Sequence, residues 1–245
     1  ALSALATDDA NDALIPLLDD DARFVRSAAL AGLLSHGGLD GAMVGGARLL
    51  KLTQSSEAED RVEAACVLES LGGQGYRQLR PLLADKHPSV RRAAVRSARG
   101  IGDKRLVEPL IGALFDPLTT NTASVALAGI GVSAAPRLVA LLLDRETPRT
   151  ARLQIPRILR VIPCEASWVG LHRAASDPDS HLRLRCYAAL SQLRSRLNRP
   201  PLSLHEVRAW VLREVKETYS VLAGWSAAKE RFGSPLLDEA IEFRE

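Results

Sequence analysis

The strongest constraint on this 245-residue chain is that it repeats itself about every thirty residues. With Arg91 as position zero, Ala94 and Val95 stand at offsets three and four, Ala98 at seven, Ile101 at ten and Gly102 at eleven. Arg61 gives Ala64, Ala65, Leu68, Leu71 and Gly72, and Arg26 gives Ala29, Leu30, Leu33, His36 and Gly37. Weaker copies start at Thr120, Arg152 and Arg183, so successive zero positions are separated by 35, 30, 29, 32 and 31 residues. A period of this size is the mark of stacked structural units.

Offsets of three, four, seven and ten are one face of an α-helix. Glycine at offset eleven ends it, because glycine takes the left-handed conformation cheaply. Ahead of these helices run shorter apolar segments ending near an aspartate: "LIPLLDD" (14–20), "LRPLLAD" (79–85), "VEPLIGALFD" (107–116) and "LVALLLD" (138–144). Each unit therefore reads as two helices with Asp, Pro or Ser between them. One such hairpin cannot bury both of its apolar faces, whereas a stack of them can. Aromatics at 4% and abundant alanine and leucine fit close helix packing rather than a sheet. Pro16, Pro81 and Pro109 belong in first turns or at kinks, and Pro156 predicts an irregular second helix in the fifth unit.

The segment "DKHPSVRRAAVRSARGIG" (85–102), with "DRVEAACVLESLGG" (60–73), resembles the HEAT and HEAT-like repeat family over about residues 10–196. That resemblance implies an all-α fold: a right-handed α-α superhelix of about six helical hairpins, with capping helices at the C-terminus. The expected boundaries are a solenoid over 1–197 and a helical cap over 198–245 packed on the last repeat. "NRPP" (198–201) breaks the pattern, Ser203 and Glu206 form a capping-box pair opening a helix over 203–225, and "SPLLDEAIEFRE" (234–245) reads as a further acidic helix. Repeats followed by this last segment look similar to the soluble part of bacterial fusion proteins in which an ADP/ATP-carrier-like or major-facilitator membrane domain precedes HEAT repeats. Together with an initial Ala1, this suggests a portion of a longer chain working on the cytoplasmic side of a membrane.

Other features narrow the function. A net charge of +3 does not by itself call for nucleic acid. Cys66, Cys164 and Cys186 lie far apart without CxxC spacing, which suits buried thiols in a reducing compartment better than disulfides or zinc. The longest aliphatic stretch, Leu138–Leu143, is too short to span a bilayer. The glycine pairs do not follow predicted strands and carry no dinucleotide motif. His36, His87, His172, His181 and His205 have no ligand spacing, no catalytic constellation assembles, and Trp168, Trp210 and Trp225 read as core or capping residues. No metal, cofactor or catalytic residue is expected.

The arginines divide into two sets. In the resembled family the zero-position arginines and the inter-helix aspartates form a ladder along the stack. This implies a structural role for Arg26, Arg61, Arg91 and Arg183 with Asp19, Asp85 and Asp177, paired within a unit or with a neighbouring one. Arg92, Arg96 and Arg99 at offsets one, five and eight, Arg157 and Arg160 at five and eight, and Arg185 at two point away from the core. In this fold that side lines the concave surface. Asn121, Val125 and Ala128 make a neutral strip between the two groups. The patch is either a solvated face or a binding surface for an acidic protein partner or another domain of the same chain. The alternatives are a nucleic-acid groove like that of HEAT-like DNA glycosylases, and a bilin-attaching lyase of the related repeat class.

Overall fold

The computed structural model describes residues 8–200 and 203–232, which fall into two compact units divided at Leu197/Asn198. The first unit is an all-α solenoid of six helical hairpins. They are α1 (Asp8–Leu14) with α2 (Arg23–His36), α3 (Gly38–Gln54) with α4 (Ala58–Ser70), and α5 (Tyr76–Leu83) with α6 (Pro88–Ile101). Then come α7 (Val107–Leu114) with α8 (Thr120–Ile130), α9 (Ala135–Leu143) with α10 (Arg149–Leu159), and α11 (Glu165–Ala174) with α12 (Ser180–Arg196). No strand occurs among the described residues. The second helices α2, α4, α6, α8, α10 and α12 pack on one another in an unbroken layer. Among the first helices, α5 packs on α7 and α9 on α11.

α6 shows why the repeat folds this way. Pro88 sits at its start, where a missing N–H is harmless. Val90, Ala93, Ala94, Ser97 and Ala98 are buried along one stripe. Gly102 ends the helix at φ 62°, donating its N–H to the carbonyl of Ala98. The expectation of left-handed glycine at offset eleven fails in the first unit, where Gly37 has φ −78° and Gly38 takes the positive φ. The run 14–20 also differs from expectation: Pro16–Asp19 is a 3-10 turn after α1. The first helices α3 and α11 have no aspartate-terminated apolar run to announce them. Pro156 lies inside α10, which continues through it to Leu159.

Two local features set the packing. Gly170 of α11 approaches α9 so closely that a Cβ there would lie 2.4 Å from a Val139 methyl. Thr120–Leu143 is apolar enough in composition to cross a membrane, at 24 residues and mean hydropathy 1.9. Gly131, at φ 73°, folds that stretch back into α8, a 3-10 turn and α9, and its leucines Leu127, Leu138 and Leu142 are fully buried.

The zero-position arginines tie each unit to the next. In their own units four of the guanidiniums cap the carbonyls of the inter-helix loop: Arg26 bonds the carbonyl oxygens of Asp20 and Asp21, Arg61 those of Ser55 and Ser56, Arg91 those of Asp85 and Lys86, Arg183 those of Asp177 and Pro178, while Arg152 bonds the Leu142 carbonyl of α9. The same groups reach forward to a carboxylate one unit on. Arg61 meets Asp85 at 2.7 Å, Arg91 meets Asp116 at 2.8 Å, and Arg152 meets Asp177. Arg26 meets Glu63 at 2.7 Å, a residue on α4 rather than in a loop; the loop position matching Asp85 in that unit holds Ser55. Asp19 is outside the ladder: it pairs with Arg48 on the surface, its side chain 80% exposed. Within-unit pairing of Asp85 with Arg91 and of Asp177 with Arg183 is replaced by this forward pairing. Thr120 interrupts the series. Its hydroxyl bonds the carbonyls of Leu114 and Asp116, and Asp144, which would be its acid, takes the Thr147 hydroxyl instead.

Burial alone would raise the Asp85 carboxyl, but the bonds from Arg61 and from the His87 N–H outweigh it and hold the group below its ordinary value. Cys186 is buried, and burial pushes its thiol up to about 12, which makes it inert. Cys66 and Cys164 are only half-buried, against expectation. Of the tryptophans, Trp168 is half-buried rather than in the core.

The second unit contains α13 (Leu204–Phe232). Its capping box closes in both directions: the Glu206 N–H donates to Ser203 Oγ at 3.2 Å and the Ser203 N–H to the Glu206 carboxylate at 3.0 Å. The helix runs past the expected end at 225. The acidic segment 234–245 lies outside the described residues.

Two expectations follow for urea unfolding. Asp85→Ala strands the nearly buried Arg61 guanidinium and should cost about 3 kcal/mol. Asp144→Ala leaves no cation stranded and should cost about 1 kcal/mol. Equal losses would remove the ladder from the account of stability. Gly170→Ala should lower the melting temperature by an amount matching about 1–3 kcal/mol of overpacking, and Gly170→Ala with Val139→Ala should recover part of it.

Candidate functional site: an arginine face on the second-helix layer

Each second helix buries its offset three, four and seven side chains against the first-helix layer and its neighbours. Offsets one, five and eight are left outward. Arg92, Arg96 and Arg99 of α6 are exposed accordingly, as are Arg157 of α10 and Arg185 of α12, and Arg160 of α10 is half-buried. Between them α8 offers exposed Asn121 and Val125 and half-buried Ala128. The six arginines thus form two groups on one layer, separated by the width of α8.

The groups differ in what holds them. On α6, Arg96 lies 3.9 Å from the Cys66 sulfur of α4, while Arg92 and Arg99 make no hydrogen bond or ion pair. The Asp116 carboxyl is held below its ordinary value by the Leu118 N–H, by Arg91 and by the nearby charge of Arg92. The structure gathers the second group more tightly. Arg157, Arg160 and Arg185 line a concavity of about 410 Å³ together with Asn121 and Gln154, floored by Pro156, Ala188 and Ala189. Among the described residues no carboxylate lines it.

Local structure positions these side chains. Arg157 and Arg160 are three residues apart on α10 and share a face. Arg185 reaches from α12 to donate to the Leu153 carbonyl at 2.7 Å. That carbonyl lies in the turn of α10 just ahead of Pro156, where the proline ring crowds the preceding carbonyls and its missing N–H loosens the ladder. Arg160 Nε is buried and bonds to no described atom. Among the described residues Arg157 makes no hydrogen bond or ion pair.

Other arginines on this flank are matched with acid. Arg149, at the start of α10, bonds Asp179 at 2.5 Å and 3.1 Å, and Asp179 also caps α12 through the N–H groups of His181 and Leu182. The Arg149 bond, with those N–H groups, holds the Asp179 carboxyl down at about 2. The site arginines differ from these and from the ladder in having no acid. Sequence reasoning placed Arg157 and Arg160 correctly on one face. It set Asn121 apart in a neutral strip, although its amide joins theirs, and it had no signal for Gln154 beyond its place in α10. Among the described residues, no three His, Cys, Asp or Glu side chains converge as a metal site.

The chain matches no protein-family model and no curated protein. Its likenesses are to solved structures. One is a crystal structure of an engineered protein, structural-genomics target OR329, at 21% identity and TM-score 0.42, covering 77% of this chain and 98% of that one. Another is the designed armadillo repeat protein YIII(Dq)4CqI, at 19% identity and TM-score 0.38, covering 74% and 98%. A third is human deoxyhypusine hydroxylase in complex with glycerol, at 18% identity and TM-score 0.35, covering 79% and 99%. At these identities and TM-scores they carry no inference about this chain.

The Asp179 carboxyl has a checkable pH profile. Its folded-state value of about 2 lies below the ordinary 3.8, so the Arg149 pair contributes its full stabilisation above the ordinary value and loses it as pH falls through about 2. A carbonyl-carbon NMR titration should show a midpoint near 2. In Arg149→Ala it should rise toward, but not reach, the ordinary value, because the two N–H bonds remain.

Proposed function

We propose that this protein is a non-enzymatic interaction scaffold of the HEAT-like class, which holds an acidic partner on the exposed face of its second helices. One observation carries the reading: the outward arginines of α6 and α10 lack carboxylate partners, whereas the ladder arginines Arg26, Arg61, Arg91 and Arg152 each have one. Unneutralised guanidiniums on a rigid layer give a positive field that orients and speeds the docking of an acidic surface. Consecutive helices repeat the same outward positions, so the face suits an extended partner. The resemblance to transporter-linked repeats supports a cytoplasmic setting, with the acidic partner a domain of the same longer chain or a separate protein.

The test is fluorescence anisotropy with a labelled 20-residue polyglutamate peptide, and with double-stranded DNA of equal length for comparison. The wild type should bind polyglutamate, and Arg92→Glu/Arg96→Glu/Arg157→Glu should weaken it by about tenfold or more. Unchanged affinity in the triple variant would leave the face merely solvated. DNA binding that exceeds peptide binding and falls steeply with salt would move the protein to the nucleic-acid class.

A further inference from the structure

The concavity between α8, α10 and α12 has a chemistry of its own. The geometry points to a phosphate-binding pocket, formed by Arg157, Arg160 and Arg185 with the amides of Asn121 and Gln154, that takes a phosphate monoester dianion. It rests on the reading of the second-helix face as a binding surface and names the ligand for one part of it.

Three guanidiniums from two helices line one space of about 410 Å³ with no carboxylate among the lining residues. Like charges held this near repel one another, so the arrangement favours a counter-charge greater than one. A phosphate monoester supplies nearly two negative charges at neutral pH and three oxygens, where a glutamate supplies one charge and two oxygens. The planar fork of a guanidinium matches adjacent phosphate oxygens. Asn121 and Gln154 add amide N–H donors that phosphate accepts. The volume admits the phosphate and the side chain or small molecule bearing it.

Two further observations point the same way. Arg185 is pinned through the Leu153 carbonyl at 2.7 Å, which places its guanidinium at the pocket before any ligand arrives. Only one of its five N–H groups is used in that bond. Arg160 Nε is a buried donor that the protein itself leaves without an acceptor. A buried donor with no partner is costly, and a shift of the Arg160 side chain toward an oxyanion in the pocket would give it an acceptor. The α6 arginines have neither feature: Arg92, Arg96 and Arg99 are spread along an open helix face.

A nine-residue Gly/Ala peptide with one central phosphoserine is the probe, measured by anisotropy beside its serine and aspartate versions. The phosphorylated peptide should bind the wild type at least about tenfold more tightly than either. Arg157→Gln and Arg160→Met should each abolish that preference, and Arg23→Gln, at an exposed arginine opening α2, should leave it intact. Competition separates the sources: inorganic phosphate or free phosphoserine displacing the peptide at similar concentrations marks a small phosphate as the ligand, and displacement only at far higher concentrations marks a phosphorylated segment. Both support the pocket. Equal binding of the three peptides by the wild type overturns it whatever the variants do. A preference lost equally in Arg23→Gln overturns it as well. Polyglutamate binding that survives a missing phosphate preference removes the pocket and keeps the scaffold reading. A phosphate preference without polyglutamate binding does the reverse.

Discussion

One guanidinium contact, repeated along the array, holds the solenoid in register. A helical hairpin buries apolar area against its neighbour, but alanine-rich faces slide over one another with little directional preference. The zero-position arginine removes that freedom. It gathers the loose carbonyls of its own inter-helix loop and grips a carboxylate one unit further on, so the loop geometry of one unit and the placement of the next become one arrangement. Such a pair contributes modest net stability, because desolvation offsets much of the attraction, and its main effect is to make the wrong register expensive.

The break at Thr120 is informative for that reason. Two hydroxyls stand in for the missing arginine: Thr120 takes the Leu114 carbonyl, one of the two that an arginine would cap, and Thr119 takes that of Ala113, with both reaching Asp116. The forward grip is lost, and Asp144 turns inward on its own loop. Packing of α8 against α10 must hold that joint by apolar contact. The candidate phosphate pocket opens beside this joint, on the same three helices. The two uses of arginine thus occupy separate positions of the repeat: one is spent on the neighbouring unit and paired with acid, the other faces outward and is not.

The ladder was half legible. Arginine at intervals of 29 to 35 residues is plain in the chain, and so is an aspartate near the end of several first helices. Which acid meets which arginine is not plain: Asp85 stands 6 residues from Arg91 and 24 from Arg61, so nearness in sequence favours Arg91, whereas the stack brings its carboxylate to Arg61. The stack turns the guanidiniums forward, to Asp85, Asp116 and Asp177. Asp116 was visible only as the end of an apolar run, and Glu63 carried no signal, since it lies within a helix and the loop position matching Asp85 holds Ser55. Asp19 looked like its peers and lies on the surface.

The sequence alone determined the two-helix unit, its number of copies and the outward placement of Arg92, Arg96, Arg99, Arg157 and Arg160, because helical periodicity is local and depends on residues a turn apart. It also determined the capping box at Ser203 and Glu206, whose bonds span three residues. Tertiary structure alone decided that Arg185, one position off the outward stripe, crosses to α10, and that Asn121 joins the charged group instead of dividing it. Both depend on how far apart neighbouring helices sit and on a turn loosened by Pro156. Those distances are set by side chains about thirty residues away, and spacing along one helix contains no record of them.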